Sequence, residues 1–334
     1  MFGQSMLFPT QASTAAERVD ALFFFLLGVF GFFTLLVAGL VIYFSVRYRR
    51  RPGIARPPRI TGSWKLEVFW TVVPFGIAIV IFVWGARVYF YIAKPPALGE
   101  EVYVVAKQWM WKIQHPEGQR EINELHIPLG QPVVLTLTSE DVIHSFFVPD
   151  FRTKVDVLPG RYVNTWFQAT KIGTYDLFCS QYCGTNHSGM IGKVIVESPS
   201  DYEQWLKEHA EGSLALEGRK LFLQHRCVSC HSADTHARAP VLEGLYLQPV
   251  ALRDGTHTLA DANYLRESIL RPDAQVVMGF EPIMPTFQGQ LTEEELIKLI
   301  AFIKALQPGQ TPLRIEDSPA PAVSPSNPHP LERP

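Results

Sequence analysis

Sulfur and charge are both scarce in this chain. Four cysteines and six methionines are spread over 334 residues, which excludes a disulfide-dense miniprotein and makes their spacing more telling than their number. Charged residues amount to 19%, below the roughly 25% usual in soluble chains. Lysine and arginine do not outnumber aspartate and glutamate, and the net charge of −2 leaves no basic footprint for nucleic acid. With 47% hydrophobic residues, general disorder and a collagen-like fibre are excluded too. No internal repeat is present.

Charge is missing altogether from Ala21 to Val46, where Phe, Leu, Val and Gly dominate. That run exceeds the roughly 20 residues needed to cross a bilayer core as a helix. It is too long for a cleaved signal core, and Arg47 follows where small residues would mark a cleavage site. A second apolar run spans Val68 to Gly85, with Trp64, Trp70 and Trp84 near its ends, where amphipathic rings settle at the membrane interface. Pro74 inside it is tolerable in lipid. Between the runs lie Arg47, Arg49, Arg50, Arg51, Arg56, Arg59 and Lys65, with no acidic residue before Glu67. The positive-inside rule makes that loop cytoplasmic and turns both termini outward. In a bacterium the rest of the chain is then periplasmic, anchored in the inner membrane.

The pattern divides the chain into an outer N-terminal segment (1–20), a transmembrane hairpin with a cytoplasmic basic loop (21–95), a β domain (96–198), a connector (199–212), a helical domain (213–308) and a tail (309–334). Short β-branched or aromatic runs such as EVYVVAKQWMWKI, PVVLTLTS and GKVIVES predict an antiparallel sandwich or barrel. The connector holds a short helix, DYEQWLKEHA. The last domain ends in LTEEELIKLIAFIKAL, where Thr292 can cap and acidic residues fill the first turn. The tail, with seven prolines in 26 residues, reads as disordered.

Residues 227–231 read Cys-Val-Ser-Cys-His, the attachment signature of haem c. Cys227 and Cys230 would bond the vinyl groups and His231 would ligate the iron. The sixth ligand would be Met284 in PIMPTF, with Met278 and His257 as weaker candidates; such Met/His ligation suits electron transfer. A thioredoxin-like pair or half a zinc site would use the same cysteines, but no βαβ pattern and no second cysteine pair accompany them.

The other two cysteines lie in CSQYCGTNHSGM, which also holds His187 and Met190, and His144 stands 35 residues before Cys179. Soft sulfur ligands select copper. A Cys2His2 zinc site and a Cys179–Cys183 disulfide are the competing readings. The first leaves Met190 without a role, the second both histidines, whereas two cysteines bridging two coppers use all five residues.

These residues resemble subunit II of haem-copper cytochrome c oxidases, of the caa type that carries its own cytochrome c domain. EVFWT, QWMWK, DVIHSFFVP, VDVLPGR, CSQYCGTNHSGM, CVSCH and PIMPTF carry the resemblance over about residues 15–308. It implies a membrane-anchored multidomain protein with a two-helix hairpin, an all-β cupredoxin-like sandwich and an all-α cytochrome c domain. It implies a CuA centre bridged by Cys179 and Cys183, with His144 and His187 as terminal imidazoles, Met190 as weak axial ligand and the Gln181 backbone carbonyl as a further donor. Many relatives have Glu at that last position, where it helps hold magnesium; Gln181 lacks the charge for it. Trp109 matches the aromatic residue through which electrons reach CuA, and Glu67 a carboxylate at the mouth of a proton channel. The implied function is electron relay from a donor such as cytochrome c, through haem c and CuA, to subunit I, which reduces oxygen and pumps protons; subunit III is a further partner. A CuA-bearing nitric oxide reductase subunit and a non-enzymatic membrane copper protein are the alternatives.

Overall fold

The computed structural model describes residues 8–49, 62–96, 99–209, 212–231 and 238–306. The tail expected to be disordered and most of the basic loop lie outside them.

Two long helices open the chain, α1 (Thr14–Arg47) and α2 (Trp64–Ala93). Both are apolar and long enough to cross a membrane, and their apolar stretches are not buried within the protein. Each extends past its uncharged run. α1 starts at Thr14 because the Ser13 side chain accepts from the Ala16 backbone N–H and supplies the N-cap. At the far end of the hairpin from Arg47, the Tyr91 hydroxyl donates to Thr14 Oγ1 at 3.0 Å, and the Arg18 guanidinium lies 4.1 Å from the Tyr91 ring.

A sandwich of two five-stranded sheets follows. Its strands are β1 (Glu100–Lys107), β2 (Met110–Gln114), β3 (Arg120–Ile122), β4 (Glu124–Pro128), β5 (Pro132–Ser139), β6 (His144–Val148), β7 (Thr153–Val157), β8 (Val163–Gln168), β9 (Gly173–Cys179) and β10 (Ile191–Glu197). The sheet orders are β3-β2-β1-β5-β8 and β4-β10-β9-β6-β7. The sheets are mixed rather than purely antiparallel, because β1 runs parallel to β5 and β4 parallel to β10. EVYVVAKQWMWKI is not one strand: Lys107 pairs with Met110 across a turn at Gln108–Trp109. No Gly or Pro marks that turn, so composition hid it. Trp111, Phe146, Phe151, Phe167 and Leu135 fill the core between the sheets.

The connector is not loose where it is described. Helix α3 (Pro199–Glu208) lies against the sandwich, with the Trp205 ring stacked on His126 at 4.5 Å. The helical domain holds α4 (Leu214–Gln224), a small hairpin of β11 (Pro249–Ala251) and β12 (His257–Leu259), α5 (Ala262–Leu270) and α6 (Glu293–Ala305). Thr292 and Glu295 form a reciprocal capping box at the start of α6. The α4–α6 crossing is tight: a Cβ on Gly218 would lie 1.9 Å from the Lys298 carbonyl oxygen.

β1 is covered on both faces. Val102, Val104 and Ala106 point into the sandwich core, whereas Tyr103 and Val105, with Tyr162, join the core of the helical domain around Leu296, Ile297 and Ile300.

Candidate functional site

The two cysteine clusters occupy different domains. Cys179 ends β9 and His144 begins β6, the strand paired with it, while Cys183, His187 and Met190 come from the loop leading to β10. The cysteine sulfurs are 3.7 Å apart, far beyond the roughly 2.05 Å of a disulfide, and both thiols are free. His144, Cys179 and Cys183 are buried, and their ligand atoms lie within 4.8 Å of one another.

The remaining donors divide between two sides. His144 Nδ1 is 3.1 Å from Met190 Sδ and 3.9 Å from Cys179 Sγ. His187 Nδ1 approaches Cys183 Sγ at 3.4 Å, and the Gln181 carbonyl oxygen is 3.2 Å from Cys179 Sγ. Gathering both imidazoles on one tetrahedral ion leaves Met190 and the Gln181 carbonyl without a role. Two metal positions sharing the thiolates use every donor, and sulfur-rich donors of this kind fit copper.

The two thiols are tuned in opposite directions. Burial raises the Cys179 thiol, but bonds to His144 and to backbone N–H groups outweigh it and hold the pKa below the usual range. Burial and the Cys179 charge push the Cys183 thiol up. His144 is oriented from behind: its Nε2 lies 2.9 Å from Asp141 Oδ1, which leaves Nδ1 facing the sulfurs. Asp141 in turn accepts from the Gln108 backbone N–H at 2.7 Å, and the Gln108 side chain donates to the Cys183 carbonyl at 2.8 Å. The sequence reading missed Asp141 and Gln108.

Trp109 is half-buried, with its ring against the ligand loop and its indole N–H without a partner among the described residues. Gly184, beside Cys183, makes this fit: its φ is +119°, and a Cβ there would come within 3.3 Å of the Trp109 ring. Glu67 stands exposed in the first turn of α2, away from both clusters.

In the helical domain a short turn, Cys227–Ser229, follows Arg226, whose φ is 59°. Cys227, Cys230, His231 and Met284 all line one cavity of 390 Å³, whose other walls include Phe222, Leu265, Phe280, Leu299 and Ile303. The volume suits a bound cofactor, for which pockets of about 300–1,000 Å³ are usual. His231 Nδ1 lies 3.0 Å from the Pro240 carbonyl oxygen, which fixes the ring and leaves Nε2 for a ligand. Burial lowers the His231 pKa and keeps the imidazole neutral. Met278 and His257 do not line this cavity. Donor set and apolar walls fit haem.

Three family descriptions match in chain order: the transmembrane domain of cytochrome c oxidase subunit II at residues 2–88, its periplasmic domain at 119–198, and cytochrome c at 215–307. A cytochrome c oxidase subunit 2 from Thermostichus vulcanus is 32% identical over 61% of this chain and 78% of its own length. One from Alkalihalophilus pseudofirmus is 26% identical over 82% and 83%. A crystal structure of the periplasmic domain of subunit II (CoxB) from Bradyrhizobium japonicum is 27% identical, covering 35% of this chain and 96% of that one, with a TM-score of 0.34. The chain belongs to the cytochrome c oxidase subunit II family, in a form with its own cytochrome c domain, and its cofactors are CuA copper and haem c.

Proposed function

We propose that this chain is the electron-relay subunit of a respiratory haem-copper oxidase, taking electrons from a donor such as cytochrome c at its haem domain and delivering them from its copper domain to subunit I. Oxygen reduction to water and proton translocation belong to that partner, and subunit III completes the assembly. The observation that carries this reading is the presence, in one chain, of a divided two-sulfur donor set and a Cys-Cys-His-Met cavity.

Bound copper and haem supply reversible one-electron chemistry; the residues hold and shield them. Cys179, Cys183, His144, His187 and Met190, with the Gln181 backbone carbonyl, would hold the copper, the two thiolates being shared between its ions and Met190 being the weakest donor. Cys227 and Cys230 would anchor the haem, and His231 and Met284 would ligate its iron. A rigid, largely buried donor set changes little between redox states, which keeps reorganisation small. Trp109, packed on the ligand loop, is the aromatic through which electrons reach the copper side. Glu67, in the first turn of α2, faces subunit I at the mouth of a proton channel.

The hairpin supports the orientation. The N-terminal part of α1 meets the sandwich through Asp20 and Arg152, and the C-terminal part of α2 through Tyr91 and Trp166, while Arg47 and Arg49 lie at the opposite end. The basic end is cytoplasmic, and the termini and both redox domains face the periplasm of a bacterial inner membrane.

Oxygen consumption by the complex co-purified with this chain, driven by a reduced donor, tests the reading. Cyanide-sensitive uptake is expected. Absent uptake, with haem and copper both reducible, would overturn the oxidase assignment and point to nitric oxide as acceptor.

A further inference from the structure

Lys112, on β2, is held between carboxylates of two different domains. Its ammonium donates to Glu140 Oε1 at 2.9 Å, within the sandwich, and to Glu294 Oε1 at 3.0 Å, in the first turn of α6. Lys107 pairs with the same Glu140 at 2.9 Å. The next residue, Asp141, is the one bonded to the His144 imidazole. A path of side-chain bonds and one peptide link therefore runs from Glu294 through Lys112 and Glu140 to Asp141 and His144. On its other face α6 lines the haem cavity through Leu299 and Ile303.

This bridge sits at one end of a fixed seat. Lys112 is opposite Val105 in the β1–β2 register, so both side chains point to the sheet face that the helical domain covers. At the other end of α6, Lys304 donates to Glu101 at 2.8 Å and to the Tyr103 hydroxyl at 3.2 Å. α6 thus runs antiparallel to β1 across the sheet. Beside it, Arg266 donates to the Gly160 carbonyl at 2.8 Å and pairs with Glu293, and Asn263 accepts from the Tyr162 backbone N–H at 2.8 Å. Leu214 N–H, at the start of α4, donates to the Pro116 carbonyl at 3.0 Å.

We propose that Lys112 is a positioning residue for electron transfer between haem and copper, locking α6 of the haem domain onto the copper domain and, through Glu140 and Asp141, tying that seat to the His144 imidazole. The haem domain then works from a fixed seat, not as a carrier swinging on a leash. The inference rests on the relay reading above, but the seat itself is measurable without it.

The test uses the full chain in mild detergent with both cofactors loaded. Zero-length carbodiimide crosslinking, mapped by mass spectrometry, reads the Lys304–Glu101 contact, and flash photoreduction reads haem-to-copper transfer. Three variants are compared: Glu294→Lys, Lys112→Met and the conservative Lys112→Arg. Glu294→Lys and Lys112→Met are expected to lower both the crosslink yield and the transfer rate by about tenfold, a coupling within the range for contacting residues. Haem and copper absorption should stay intact in Glu294→Lys, and Lys112→Met should also shift the copper band. Lys112→Arg should restore yield and rate. Unchanged yield and rate in both disruptive variants would overturn the proposal, as would slowing accompanied by loss of either cofactor's absorption. If the wild-type haem never reduces copper, the relay reading falls, and the crosslink yields alone decide the seat.

Discussion

At the scale of single residues, the donors proposed for copper were legible because their types are rare. Two cysteines, two histidines and a methionine seldom meet by chance in a chain with four cysteines and six methionines. Asp141 and Gln108 were not legible, because carboxylates and amides are common and their role arises only when the β5–β6 loop and the β1–β2 turn converge. Asp141 holds His144 by Nε2, so Asp141→Ala should lower copper affinity by about 10–100-fold, the usual cost of losing such an outer hydrogen bond. Competition with a copper chelator measures it; unchanged affinity would remove Asp141 from the support of the site. Cys183→Ser should abolish the dinuclear copper absorption, because it removes one of the two thiolates proposed to be shared by the ions. Met190→Leu should instead keep both coppers and shift the reduction potential, since the axial ligand tunes it.

At the scale of elements, α6 and the connector helix α3 were readable from capping residues and periodicity. β1 was readable as a strand but not as an interface. Its run of apolar residues without alternation is the mark of a strand buried on both faces, yet nothing in the run says what covers the second face. α3 raises a pH question that sequence could not. His115, fully buried, contacts Glu121 at 2.9 Å, Glu100 at 3.6 Å and the Tyr202 hydroxyl of α3 at 3.1 Å, and Glu121 also bonds His126 under the Trp205 ring. Glu117 adds further negative charge near Tyr202. Burial works against the His115 charge, but Glu100 and Glu121 outweigh it and raise its pKa above the ordinary 6.5. Burial likewise opposes the Glu121 charge, but the two histidines lower its pKa below 4.5. The His115 contribution is complete below pH 6.5 and lost as pH rises through the raised value. That of Glu121 is complete above pH 4.5 and lost as pH falls through the lowered value. α3 should therefore be held most firmly between pH 4.5 and 6.5. Hydrogen exchange of the α3 amides, corrected for intrinsic rates, should be slowest in that window; a flat profile would remove the cluster as the clamp. Gly218→Ala tests a different element contact. Its Cβ would strike the α6 backbone, so the helical domain should lose about 3 kcal/mol, the upper range for overpacking, seen as a lower haem-domain melting temperature.

At the scale of the whole molecule, the order of membrane hairpin, copper domain and haem domain was written in the sequence, but their mutual seating was not, because it depends on side chains far apart in the chain. The joint between hairpin and sandwich is the clearest case. Asp20 of α1, 2% exposed, takes two bonds from Arg152, to Nε at 2.8 Å and Nη2 at 2.9 Å. Arg152 sits after Phe151 with φ 54°, and its remaining N–H groups donate to the carbonyls of Pro9, Thr10 and Pro149. One guanidinium thus pins the N-terminal segment, the top of α1 and the sandwich together, with Tyr91 of α2 packed on Trp166 alongside at 5.3 Å. Asp20→Ala leaves that mostly buried guanidinium without its counter-charge, a change that costs about 3–5 kcal/mol where one partner of a buried pair is removed. The copper ligands lie on other strands and loops of the sandwich, whose core residues are separate from this pair. The expected outcome is therefore selective. Hydrogen exchange should rise at Ala12–Asp20 and at Pro149–Thr153, while copper absorption stays unchanged. Unchanged exchange at both segments would show that the sandwich keeps its seat without the pair, and loss of the copper band would show that the seat and the metal centre are one cooperative unit.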